Sequence, residues 1–256
     1  MQKIFILEMI VVAQKKEWFE SWFDSPYHNL LYKKRDDEEA EKLIGNLFKF
    51  IKPDPSSSIL DIACGDGRHA VIMSKYVKEV IGIDLSERRI DSAKKLEQDN
   101  LEFYVQDMRS VFRTNYFDLE VNLFTSFGYF NHFRDNINAA NAFATGLKKG
   151  GKLVIDYMNA AWVVKNLVHE EIIKEEGITF YIQRKKENDR IIKSIDFKNK
   201  EEKAYHFEEK VFAFSKEDFE KIFEQSGLKL IHTFGNYDLD EFNIETSPRL
   251  IMIFEK

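Results

Sequence analysis

The chain has 256 residues, 44% hydrophobic and 14% aromatic, enough for one large domain with a proper core or one domain carrying an elaboration. With 32% charged residues and a formal net charge of −6, it reads as a globular protein in water. That balance gives no overall attraction to nucleic acid or anionic membrane, while leaving open a local basic groove. A single cysteine, Cys64, excludes an internal disulfide framework or thiolate zinc cluster and fits a reducing, cytoplasmic compartment.

No apolar run approaches the ~20 residues of a bilayer span. The opening MQKIFILEMIVVAQKK has an early lysine and an apolar run, but Glu8 interrupts the run and no small-x-small cleavage site follows. It is expected to be a short leading strand, or an extension ahead of a start near Met9. Residues 17–50 space apolar side chains at three and four, with a break at Pro26 and acids at Asp36–Glu39 suited to a helix N-terminus. KPDPSSS, residues 52–58, is a loop.

Strands and helices then alternate: SILDIA, helix GRHAVIMSKY, KEVIGIDLS, and helix ERRIDSAKKLEQD with Ser86 as N-cap. LEFYVQD and YFDLEVNLF follow as strands, INAANAFATGLKKG as a helix ending at Gly150, and GKLVIDYMN as the fifth strand. This alternation predicts a parallel sheet with helices on both faces. After Asn159, residues 178–214 read as antiparallel strands turning at KENDR and KNKEE, with mixed charges that fit a solvated face. SKEDFEKIFEQSG is a capped helix closed by Gly227, and LKLIHTFG and RLIMIFEK are the final strands.

Gly65-Asp66-Gly67-Arg68-His69-Ala70 matches a G-x-G-x-x-G/A dinucleotide turn, and Asp84 ends the next strand where a ribose-binding acid belongs. An NAD-dependent oxidoreductase is therefore one reading. Three features point elsewhere. Asp61, inside the first strand, would repel a pyrophosphate and suits an ammonium. Asp107 ends the third strand, where it can accept from an exocyclic amine. The chain closes on two strands after a helix, not on further parallel units.

The segments ILDIACGDGRHA, VIGIDLS, FYVQDMR, YFDLEVNLFTSFGYF and LKKGGKLVIDYMN, in this order and spacing, resemble the class I S-adenosylmethionine-dependent methyltransferases. The nearer resemblance is to a small-molecule subgroup similar to bacterial sugar N-methyltransferases. It implies an α/β, Rossmann-like seven-stranded sheet with helices on both faces and a small antiparallel β insert after the fifth strand. It divides the chain into an N-terminal helical lid (1–54), a cofactor domain (55–160 and 215–256) and the insert (161–214). The insert is expected either to roof the acceptor site or to form a dimer contact.

The resemblance implies S-adenosylmethionine as cofactor, with S-adenosylhomocysteine as product. Asp61, Ala63, Cys64, Gly65 and Gly67 would line its methionine part. Asp84 would take the ribose hydroxyls, with Leu85 beside the adenine, and Asp107 and Met108 would hold the adenine. Asn122, Leu123 and Phe124 would face the sulfonium, and Tyr32 and Arg35 would meet the cofactor carboxylate. Tyr129 and His132, in the aromatic segment NLFTSFGYFNHF, are the candidates to orient or deprotonate an acceptor. Trp18 and Trp22 are better explained as the buried side of an amphipathic helix. The expected acceptor is a small molecule with an amine, hydroxyl or carboxylate. RNA or protein is the alternative, although the acidic balance disfavours nucleic acid. No membrane partner is expected, and a homodimer is left open.

Overall fold

The computed structural model describes residues 17–32 and 37–256. Arg35, Asp36 and the leading segment fall outside them. The described chain opens with α1 (Trp18–Phe23) and α2 (Pro26–Leu31). The break between them comes from Pro26, which takes the first position of α2 behind the N-cap Ser25. In α3 (Asp37–Ile51), Ala40, Leu43, Ile44, Leu47 and Phe48 form one buried stripe.

β1 (Ser58–Ile62), α4 (Arg68–Ser74), β2 (Glu79–Asp84), α5 (Glu87–Ala93), β3 (Leu101–Val105) and β4 (Phe117–Asn122) follow. Ser86 caps α5 by accepting the Arg89 N–H, as its position predicts. Next come α6 (Phe133–Gly146) and β5 (Leu147–Met158). The helix expected to run to Gly150 stops at Gly146, because Leu147 turns extended and pairs with Phe117. A register shift then absorbs Lys148–Gly151 before regular pairing resumes at Lys152.

Beyond β5 lie α7 (Ala160–Lys165), β6 (Glu170–Glu175), β7 (Ile178–Glu187), β8 (Arg190–Lys198), β9 (Ala204–Phe212), α8 (Lys216–Glu224), β10 (Lys229–Phe234) and β11 (Arg249–Glu255). The turns at 188–189 and 199–203 are those read from KENDR and KNKEE, whereas α7 and β6 were not anticipated. Ser215 and Asp218 close a capping box on α8.

Seven strands form the main sheet in the order β10-β11-β5-β4-β1-β2-β3, and β6–β9 form a second, four-stranded antiparallel sheet. Only β11 runs against its neighbours in the main sheet. One face of that sheet is covered by α3, α4 and α5 and the other by α6 and α8, and each face carries its own apolar cluster. A third cluster joins α1 and α2 to the second sheet through Trp22, Leu31, Phe180, Ile182, Ile195 and Phe197. Glu209 of β9 reinforces that join by accepting from Trp22 Nε1 (2.7 Å) and the Tyr32 hydroxyl (2.6 Å).

Glu120 of β4 is one of three buried acids among the described residues, with Asp61 and Asp156. It is fully buried, and neither carboxylate oxygen has a hydrogen-bond partner among the described residues. Burial pushes its pKa well above the usual range, with Lys256 opposing. The folded protein therefore keeps a proton there that the unfolded chain loses above pH ~4.3. Stability from this group falls as pH rises, so Glu120→Gln should raise the urea midpoint at pH 9 and leave it nearly unchanged at pH 4.

Candidate active site

The strand order sets the residues out. Across β3-β2-β1-β4, the carboxyl edge presents Asp107, Asp84, Asp61 and Asn122 in turn. The order reverses between β1 and β4, where open parallel sheets bind ligands. A cavity of about 720 Å³ opens there. It is bounded by the turn after β1, the ends of β2 and β3, the loop after β4, and helices α1 to α5.

The β1–α4 turn is built on left-handed backbone: Ala63 (φ 59°), Gly65 (φ 58°) and Gly67 (φ 86°). Asp84 ties it down, accepting from the Gly65 N–H on one oxygen and the Ser86 N–H on the other, both at 2.9 Å. Burial raises the Asp84 pKa against these donors. Asp61 is more extreme. It is buried at the cavity wall, and its Oδ2 has no hydrogen-bond partner among the described residues. Burial first, and the Asp84 charge second, push its pKa up to about 8. A buried carboxylate with an open acceptor asks for a cationic donor. A pyrophosphate would meet two carboxylates instead.

Asp107 also lines the cavity, but Arg109 has claimed its carboxylate: the guanidinium donates to both oxygens, with Nη2 at 2.6 Å from Oδ2. Arg109 continues to Glu17 at 2.7 Å and lies over the Phe130 ring at 5.2 Å. Any further donor to Asp107 must share its oxygens with Arg109. Leu85 and Met108 line the same end of the cavity.

After β4 the wall is made by Leu123, Phe124, Thr125, Ser126, Tyr129 and Phe130, facing Phe19 and Phe23 of α1. Phe124 (φ 57°) and Thr125 (φ 62°) are consecutive non-glycine residues in the left-handed region. That costs about 1–2 kcal/mol per residue. Tyr129 packs edge-on against Trp18 and Phe23.

The cavity gathers the candidates Tyr32, Asp61, Ala63, Cys64, Gly65, Asp84, Leu85, Asp107, Met108, Leu123, Phe124 and Tyr129. It does not gather Gly67, Asn122 or His132. Gly67 packs under Phe103. Asn122 is buried and donates to the Ile62 carbonyl at 3.0 Å, strapping β4 to β1. His132 is the exposed N-cap of α6. Tyr32 turns its hydroxyl to Glu209 and Lys193. Burial pushes the Cys64 thiol up, away from a nucleophile's range.

Sequence reading missed three contributors: Arg89, Asp24, and Asp156 paired with Arg249. Arg89 contacts His28 at 2.8 Å and the Phe23 carbonyl, and with Arg88 it pins the end of α1 beside Asp84. Ser86 also donates from its hydroxyl to Asp24. The third contributor, Asp156 with Arg249, lies behind Phe124. The ERR run after Ser86 was the local signal for Arg89, and an acid inside the apolar run LVIDYM the one for Asp156.

Residues 32–233 match the family model described as "Methyltransferase domain", and the chain belongs to that family. Its relatives include the dTDP-3-amino-3,4,6-trideoxy-alpha-D-glucopyranose N,N-dimethyltransferase of Streptomyces venezuelae, 28% identical over 155 residues, 59% of this chain. The chain spans 65% of that relative's length and 20% of several chlamydial RNA methyltransferases. The fold is similar to an S-adenosylmethionine-dependent methyltransferase from Clostridium acetobutylicum (TM-score 0.75, 19% identity, covering 90% of this chain and 95% of that one). It is also similar to S-adenosylmethionine-bound CalS10, an amino pentose methyltransferase from Micromonospora echinaspora (TM-score 0.67, 17% identity, 91% and 98%). Among the described residues no helix is long and apolar enough to cross a membrane.

Proposed function

We propose that the chain is an S-adenosylmethionine-dependent methyltransferase that methylates the nitrogen of a small-molecule amine, with amino sugars the first class to test. The observation that carries the cofactor assignment is Asp61: a buried carboxylate oxygen with an open acceptor, set beside Asp84 and Asp107 in strand order. We assign Asp61 to the cofactor's ammonium and Asp84 to its ribose hydroxyls. Asp107, sharing with Arg109, is assigned to the adenine amine, with Leu85 and Met108 against the ring. The amine acceptor rests on the sugar N,N-dimethyltransferase relative.

When bound, the cofactor supplies a methyl group already activated on a sulfonium. The protein's task is to align the nucleophile and keep water out. Phe19, Phe23, Tyr129 and Phe130 give a wall suited to exclusion, and we assign the Tyr129 hydroxyl to orienting the acceptor amine. Tyr32 and the α1–α2 segment are assigned to closing the cavity, and 161–214 to roofing the acceptor end. A cytoplasmic location fits the single buried thiol, Cys64. A homodimer stays an expectation, to be read by light scattering, and no nucleic-acid substrate is assigned.

Calorimetry with S-adenosylhomocysteine and with NAD tests the cofactor, and an amine panel read by S-adenosylhomocysteine release tests the chemistry. Micromolar binding of S-adenosylhomocysteine without NAD binding is expected. The reverse pattern returns the chain to the oxidoreductase reading.

A further inference from the structure

We infer that Asp156 is a positioning residue for the reaction centre: with Arg249 and Tyr237 it holds the Phe124–Thr125 turn in the left-handed form that lines the cavity. The inference rests on the proposed function only in taking that cavity as the place where cofactor and acceptor meet.

Asp156 is fully buried in β5, and its side chain reaches the loop after β4 and Arg249 of β11. Its Oδ2 accepts the Phe124 N–H at 2.9 Å and its backbone oxygen accepts the Thr125 N–H at 2.9 Å. Oδ2 also accepts from the Tyr237 hydroxyl at 3.2 Å. Oδ1 accepts from Arg249, with Nη2 at 2.7 Å and Nε at 2.8 Å, and the same Nη2 reaches Thr125 Oγ1 at 3.2 Å. The turn is therefore gripped at both of its N–H groups and at its one hydroxyl.

Those grips act on the least favourable backbone of the site. A β-branched threonine at φ 62°, directly after a phenylalanine at φ 57°, does not stay there unaided. The turn sets the Phe124 ring between His69 (5.0 Å) and Tyr237 (5.7 Å), with the Arg68 guanidinium over it at 5.2 Å. An ion pair kept for packing alone would be replaceable by neutral groups at little cost. One that imposes a strained turn at the cavity would not be.

The test uses the full chain carrying Asp156→Ala with Arg249→Met, which removes both charges together with the side-chain acceptor of the Phe124 N–H and leaves no lone buried ion. Amide exchange is read in the cofactor-free protein, and S-adenosylhomocysteine affinity by calorimetry. Exchange at Phe124 and Thr125 should quicken by about 100-fold while Val121 and Val154 keep their protection. Affinity should fall about tenfold as the preorganised wall is lost. Adding Thr125→Gly, which tolerates the left-handed region without the network, should restore affinity to within about threefold. Unchanged exchange at Phe124 and Thr125, unchanged affinity, or failure of the glycine to restore it would each overturn the inference. A wild-type chain that binds neither S-adenosylmethionine nor S-adenosylhomocysteine would overturn the proposed function instead, and the exchange readout alone would then decide whether Asp156 holds the turn.

Discussion

Asp61→Asn should weaken cofactor binding while stabilising the cofactor-free protein at every pH above ~4. The two effects have one origin. In the folded protein the Asp61 carboxyl titrates at about 8, raised by burial and then by Asp84, against ~3.9 for an unperturbed aspartate. Between those pH values the folded state holds a proton that the unfolded state has released, so stability falls as pH rises from ~4 to ~8 and then levels. Asparagine removes that slope. The variant should match the wild type near pH 4 and exceed it at pH 9 by on the order of several kcal/mol, read from urea midpoints. Cofactor binding should go the other way. An ammonium brought to Oδ2 favours the ionised carboxylate, so binding at pH 7 should release close to one proton and tighten as pH approaches 8. Calorimetry in buffers of different ionisation enthalpy measures that proton. Asp61→Asn should lose it, along with on the order of 10- to 100-fold in affinity, the worth of one charge-assisted hydrogen bond. A wild-type chain that binds S-adenosylmethionine with no proton release would place the ammonium elsewhere.

What the sequence disclosed and what it hid follow from the range of the interactions. β1 and β2 are buried on both faces, so they appear as short apolar runs that need no knowledge of their neighbours. Asp61 and Asp84 stand out because an acid near the end of such a run needs a reason to be there. Gly146 was passed over as a helix end because Leu147 leaves the helix to pair with Phe117, a tertiary event no local pattern records. β6, with three glutamates and a lysine in EEIIKE, looks like a solvated turn until β7 pairs with it. Arg249 and Tyr237 lie 93 and 81 residues from Asp156. They meet it only because β11 returns antiparallel beside β5, setting Arg249 opposite Met158 and diagonal to Asp156. The carboxylates of the ligand edge were therefore readable. The groups that hold the edge in shape come from across the sheet and were not.

The two glycines of the turn should separate in experiment. Gly67→Ala is expected to destabilise the fold by about 2–5 kcal/mol. The residue caps α4 at φ 86°, so a side chain there meets backbone strain of ~1–2 kcal/mol. Its Cβ would also lie 2.6 Å from Phe103 Cζ. The ring has no retreat, because a Cβ on Gly82, at its other side, would stand 2.5 Å from Cδ1. Phe103 is wedged between two bare backbones, and overpacking of this kind costs ~1–3 kcal/mol. Phe103→Leu should recover the steric part but not the φ part, giving a coupling of about 1 kcal/mol or more in a double-mutant cycle read from urea midpoints at constant m. Gly65→Ala meets only the end of the Arg89 side chain, at 2.9 Å, besides its own φ of 58°. It should cost less stability but more cofactor affinity, because Gly65 lines the cavity and Gly67 does not. If both variants lose affinity equally while remaining folded, the second glycine also serves the ligand. If only Gly65→Ala does, the G-x-G pattern combines one residue for backbone approach to the cofactor with one for seating α4 on the sheet.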